Sequence, residues 1–196
     1  MRKKIIFVFL SEIFLLSGTA FSVRYMTRKE ALNKIFKDCD RIVEEKVVLS
    51  GLKEKKVREK LGGSLFDWTP LSRAERKKFT EKSTYTFYFG IKEGKKTGAA
   101  LIETQPGKWG PMEFLIQMSM DGKVQQIKVL MHEETRARPI CRRAFLMQFD
   151  GKTPDDGLEM GKDIYGVTGA TVSSNAVAFA VKKALIIYKE LILDEI

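Results

Sequence analysis

The sequence predicts an α+β fold: a mainly antiparallel sheet flanked by helices, preceded by one N-terminal transmembrane helix. Three observations carry this. The centre of the chain alternates apolar and polar residues with a period of two on either side of Asp121-Gly122. Apolar residues at both ends of the remainder recur at helical spacing. The chain opens on Met1-Arg-Lys-Lys followed by a near-continuous apolar run, Ile5 to Val23, about long enough to cross a bilayer core as a helix.

That opening predicts a membrane anchor or signal segment over residues 1–26 and an exported domain over residues 27–196. The basic head favours the cytoplasmic side, which places the domain on the extracytoplasmic or periplasmic face of the cytoplasmic (inner) membrane. Arg24, Arg28 and Lys29 reduce the asymmetry, and Glu12 is costly in lipid. Gly18 and Ala20 also form a small-x-small cleavage site. The apolar stretch exceeds an ordinary signal core, so an uncleaved single-pass anchor is the expectation.

In the exported part, Ala31, Leu32, Ile35 and Phe36 predict a helix from Thr27 to about Arg41. Lys46–Leu49 reads as a short strand. Ser50 then caps a charged helix through Leu61 that stops at Gly62-Gly63. Residues 67–81 read as connector, with a short helix after Ser72. Strands follow at Thr84–Ile91 and Thr97–Thr104. The next, Pro111–Met120, buries one face carrying Met112, Phe114, Ile116, Met118 and Met120. Asp121-Gly122 makes a two-residue hairpin turn, and Ile127, Val129 and Met131 keep phase on the return strand. Pro139 opens a helix that ends near Asp150-Gly151. Thr171 or Ser173 caps a last helix, Asn175 to about Leu193, with Val177, Ala180, Val181, Ala184, Leu185 and Tyr188 as its apolar stripe.

Net charge is +10, from 35 Lys+Arg against 25 Asp+Glu. The basic residues are scattered, with no interleaved aromatics and no zinc-finger spacing, so no nucleic-acid partner is expected. Cys39 and Cys141 form no CxxC motif, and their spacing leaves a bridge and two separate thiols both open. The alternating methionines read as core. No nucleophile–base pair or metal-ligand cluster is visible, so catalytic and metal residues are not assigned.

The chemistry lies in Gly166-Val-Thr-Gly-Ala-Thr-Val-Ser-Ser-Asn175. Gly169 and Ala170 leave backbone uncovered. Thr168, Thr171, Ser173 and Ser174 supply hydroxyls, and the following helix offers unpaired N–H groups and the positive end of its dipole. These make a phosphate seat or an ordinary capped turn. A Walker lysine and a GxGxxG are both missing, which argues against nucleotide hydrolysis and dinucleotide binding.

Thr168-Gly-Ala-Thr171, followed by small hydroxyl residues and a helix, resembles the motif of the FMN-binding domain family. That family includes the G subunit of the Rnf complex, the C subunit of the sodium-pumping NADH:quinone reductase and the flavin domain of the nitrous-oxide reductase regulator. Gly107 to Thr135 resembles the family's glycine–aromatic–glycine turn, its DG hairpin and its H-x-E-T segment. The resemblance implies FMN in a phosphoester link to Thr171, made by a flavin transferase. It further implies Glu134 and Thr135 near the ring, Trp109 and Tyr165 as stacking candidates, and a membrane redox subunit (iron–sulfur, quinone or haem protein) as partner. Two departures stand out. Tyr165 occupies the position of an aspartate that the transferase reads, which leaves covalent attachment open. Arg136-Ala137 replaces a Pro-Gly after H-x-E-T. His132 reads as structural. Arg136, Arg138, Arg142 and Arg143 face either the phosphate or solvent. The implied function is an electron relay rather than a self-contained catalyst. The alternatives are a non-enzymatic sensor or assembly module of the same fold with weak, non-covalent or lost FMN binding, or a basic protein on an anionic surface.

Overall fold

The computed structural model describes residues 22–134 and 138–195. The anchor expectation falls on residues 1–26, of which 1–21 lie outside the described residues. No described helix is long and apolar enough to cross a membrane.

Six strands form one antiparallel sheet in the order β1-β6-β5-β4-β3-β2. They are β1 (Val23–Arg24), β2 (Arg41–Val48), β3 (Thr84–Lys92), β4 (Lys95–Pro106), β5 (Pro111–Met118) and β6 (Val124–His132). The helices are α1 (Arg28–Ile35), α2 (Gly51–Lys60), α3 (Arg143–Leu146) and α4 (Thr171–Leu191). The α+β class and antiparallel sheet are as predicted. Val23–Arg24, at the end of the segment read as anchor, adds a short strand to the sheet edge against Met131 and His132.

Period-two alternation builds the main core. Phe87, Phe89, Leu101, Phe114, Ile116 and Met118 point to one face, and α4 lies across them with Tyr188 against Phe87. Fully burying each large side chain contributes about 1.5–3 kcal/mol. The predicted stripe of α4 is buried throughout, but so are Ile186, Ile187, Lys183 and Glu190, so the helix is covered nearly all round.

Several predicted boundaries change, each for a local reason. The first helix stops at Ile35 rather than Arg41, because β2 already begins at Arg41 to pair with β3. Its start is fixed by a capping box in which Thr27 and Glu30 satisfy each other's backbone N–H groups. β2 runs from Arg41, five residues before the predicted strand. The β3–β4 turn is Glu93-Gly94, with both residues at positive φ (51° and 76°) as a mirror-image hairpin turn needs. The DG hairpin is a loop over residues 119–123 rather than a two-residue turn, closed by Ser119 N–H on the Lys123 carbonyl at 2.8 Å. The Pro139 helix breaks into a 3-10 turn (Arg138–Cys141), α3 and a second 3-10 turn (Met147–Phe149), because Arg142 is extended (φ −70°, ψ 139°).

β5 buries both faces, not one. α1 covers the far side of the sheet, where Ala31, Leu32, Phe36, Ala100, Leu115 and Leu130 form a second cluster. A bulge on β6 leaves Leu130 without an opposite residue between the pairs Phe114–Val129 and Glu113–Met131. Met131 thereby loses phase with Val129, and His132 comes opposite Met112.

Gly90 is where α1's end meets the sheet: an added Cβ would lie 2.5 Å from Phe36 Cδ1 and 2.7 Å from Cys39 Sγ. Gly90→Ala is expected to lower stability by about 1–3 kcal/mol through overpacking, read as a shifted urea midpoint. An unchanged midpoint would mean the second cluster is loose.

Candidate functional site

α4 starts four residues earlier than predicted. Its cap position is Ala170 rather than Thr171 or Ser173, and no side chain caps it. Thr171 is the first helical residue and is exposed. The reason lies in Ser174, whose hydroxyl accepts from Val167 N–H and donates to the Ala170 carbonyl, both at 3.0 Å. Ser174 is therefore spent on folding the loop back over the helix start. Gly169 takes φ +78° with open space around its Cα, a conformation that favours glycine.

The N-terminal turn of α4 opens on a cavity of about 430 Å³ lined by Lys108, Trp109, Glu134 and residues 169–173. Three separate segments thus meet there: the turn before β5, the end of β6 and the helix start. Ala170 and Ser173 line the cavity and are buried, while Trp109 is half exposed. Thr168 is exposed but outside the lining. Tyr165 is 70% exposed, also outside it, and its backbone is held on both sides by the Gln148 amide. Thr135 and Arg136 lie outside the described residues. Arg138, Arg142 and Arg143 do not line this cavity.

Glu134 organises the turn opposite the helix. It is buried, and its Oε1 accepts the Trp109 N–H at 2.9 Å. The turn closes with Gly107 N–H on the Gly110 carbonyl at 2.8 Å, and a Cβ at Gly107 would collide with the Glu134 carboxylate. Lys108, which the sequence reading did not single out, brings a positive charge to the cavity with Nζ 5.2 Å from the Trp109 ring. Its signal was its place inside the glycine–aromatic–glycine turn.

Behind Glu134 runs a directional hydrogen-bond array. Glu134 N–H donates to His132 Nδ1 at 3.2 Å, so the neutral imidazole carries its proton on Nε2. That nitrogen is 3.1 Å from the Tyr25 hydroxyl and donates to it. Tyr25 in turn shares a hydrogen bond with the Cys141 thiol, and burial pushes the phenol up to about 12. Burial also raises the Cys141 thiol. Cys39 sits instead beside Thr97 on β4, so the two cysteines do not bridge.

Burial is the main influence on His132 and lowers its pKa. Its folded value lies below the unfolded value of about 6.5. Stability from this group is therefore complete above that pH and is lost as pH falls through the folded value, because the unfolded state takes the proton first. The thermal midpoint of wild type should drop faster than that of His132→Gln below about pH 6.5. Parallel profiles would show that His132 does not titrate with unfolding.

Such a seat fits a phosphate: uncapped helical N–H groups, a dipole, a lysine and an exposed hydroxyl. Residues 107–186 match the family model of the FMN-binding domain. That stretch, 80 of the 196 residues, is what this chain shares with the family. The match begins at the Gly107 turn and reaches well into α4, so it spans all three segments of the cavity. The chain is similar to the G subunit of the proton-translocating ferredoxin:NAD(+) oxidoreductase complex of Clostridium ljungdahlii, with 31% identity over 117 residues, 55% of this chain and 63% of that protein. It is 27% identical over 140 residues to the G subunit of the ion-translocating oxidoreductase complex of Stutzerimonas stutzeri, covering 66% of this chain and 61% of the relative. The chain thus spans less than two thirds of the length of either relative. The crystal structure of Shewanella oneidensis NqrC shares this fold, with a TM-score of 0.51, 14% identity, and coverage of 81% of this chain and 84% of that one.

Proposed function

We propose that this chain is a membrane-anchored flavoprotein that binds FMN through Thr171 and relays electrons within a membrane electron-transport complex. The observation that carries the reading is the uncapped, exposed start of α4 facing Lys108, Trp109 and Glu134. Bound FMN supplies reversible one- and two-electron chemistry, and the protein supplies position and electrostatics. Thr171 offers the hydroxyl for a phosphoester. The first N–H groups of α4, with Lys108, balance the phosphate charge. Glu134 fixes the turn that presents the exposed Trp109 ring as a stacking surface. The segment ahead of β1 tethers the domain on the extracytoplasmic side, beside an iron–sulfur, quinone or haem subunit.

The test is to purify the chain after co-expression with a flavin transferase and precipitate it with acid. Flavin colour retained in the pellet supports covalent attachment. Full release into the supernatant favours a second reading, in which FMN is held without a bond and the chain acts as a sensor or assembly module. Tyr165 in place of the aspartate is the observation behind that reading. Its exposure puts the change on a surface that a transferase would touch. Protein without flavin affinity in either form would overturn the relay and leave a module of this fold that has lost FMN.

A further inference from the structure

The sheet contains a second cavity, formed where two neighbouring strands part. Pairing between β3 and β4 ends at Phe87–Leu101. Beyond it, Thr84–Thr86 continue beside β2 alone, and Ile102–Pro106 beside β5 alone. Their facing edges border a cleft of about 430 Å³, within the range of about 300–1,000 Å³ common to small-molecule sites. Strand edges without a strand partner carry unsatisfied N–H and C=O groups, which makes this an uncommon place to leave empty space.

Phe66, Tyr85, Tyr88 and Leu101 give the cleft its aromatic and aliphatic walls, with threonines between them and one charge of each sign from Arg28 and Glu133. Deep inside, Lys183 and Glu103 neutralise each other at 2.8 Å, so the interior carries no net charge from that pair. Tyr85 is 4% exposed, and its hydroxyl has no hydrogen-bond partner among the described residues. A buried hydroxyl left without a partner is costly. At the rim stand Lys78 and Lys82, both exposed, with no ion pair among the described residues. Trp109 lines this cleft and the α4 cavity alike, so the two adjoin at one residue.

We propose that the cleft binds a planar aromatic molecule bearing a ring carbonyl and an acidic substituent. The ring lies between the aromatic walls, the carbonyl accepts a hydrogen bond from Tyr85, and the acidic group meets Lys78 and Lys82. A flat ring suits a space bounded by two strand edges, and a carbonyl is the acceptor that the orphaned phenol lacks. A neutral interior with a basic rim sorts the two ends of such a molecule.

The probe is anthraquinone-2-sulfonate, with anthracene-2-sulfonate as the ring without carbonyls. Binding is measured by calorimetry on the full-length chain in detergent carrying Thr171→Ala. Flavin attachment then has no part in the result, so a failure here is separate from a failure of the flavin reading. One equivalent of anthraquinone-2-sulfonate should bind, about fivefold more tightly than anthracene-2-sulfonate, the worth of one hydrogen bond. Tyr85→Phe should erase that preference. The Lys78→Ala/Lys82→Ala pair, both at exposed positions, should weaken binding about tenfold and remove most of its salt dependence. Absence of saturable binding would overturn the proposal. So would equal affinity for the two probes in wild type, or rim variants that bind as wild type does.

Discussion

Thr171→Ala is expected to lose covalent flavin completely. Wild-type protein made together with a flavin transferase should gain the mass of one FMN less a water, and the variant should gain nothing. The geometry makes this selective among four neighbouring hydroxyls. Thr171 is exposed in the first turn of α4 and lines the cavity. Ser174 is buried and committed to Val167 and Ala170. Ser173 lines the cavity but is only 2% exposed, and Thr168 lies outside the lining. Thr168→Ala should therefore keep the mass gain. A wild-type chain that gains no mass would direct attention to Tyr165, and Tyr165→Asp should then restore the modification. If neither does, Thr171 does not carry flavin.

The sequence made the strands legible because burial on the α4 side follows a period of two, and Phe114, Ile116 and Met118 display it directly. The second buried face of β5 was not legible, because it depends on where α1 comes to rest. Leu115 looks the same in a one-sided and a two-sided strand. The bulge at Leu130 was hidden for a similar reason, since an extra residue shows only against its partner strand. At the candidate site, the hydroxyl-rich loop was readable as a possible anion seat, and the order of motifs pointed to the family. The division of labour among the hydroxyls was not readable. Ser174 acts on a backbone carbonyl four residues earlier and an N–H seven residues earlier, and composition cannot reveal which hydroxyl is turned inward. The array through His132 joins residues more than a hundred positions apart in sequence, so local pattern gave no sign of Tyr25.

Lys183 and Glu103 illustrate the same limit with the largest expected cost to stability. On a helix and a strand that otherwise bury apolar residues, each charge reads alone as a solvated position. In the fold each side chain is 5% exposed and they meet at 2.8 Å, with Lys183 also 5.1 Å from the Phe66 ring and 5.4 Å from the Tyr85 ring. Removing one partner leaves the other charge buried without compensation. Lys183→Met is expected to cost about 3–5 kcal/mol, read as a large fall in the urea midpoint at neutral pH. Removing both is a different experiment. Lys183→Met/Glu103→Met replaces an ion pair with apolar volume, which often leaves stability level or higher. The double variant should therefore recover most of what the single variant loses, and the coupling should appear in a double-mutant cycle. A single variant within about 0.5 kcal/mol of wild type would mean that water reaches Glu103 through the β3–β4 cleft. A double variant as unstable as the single would place the cost in lost packing around the lysine stem. Recovery in the double variant would leave electrostatic compensation as the reason that a lysine survives inside this core.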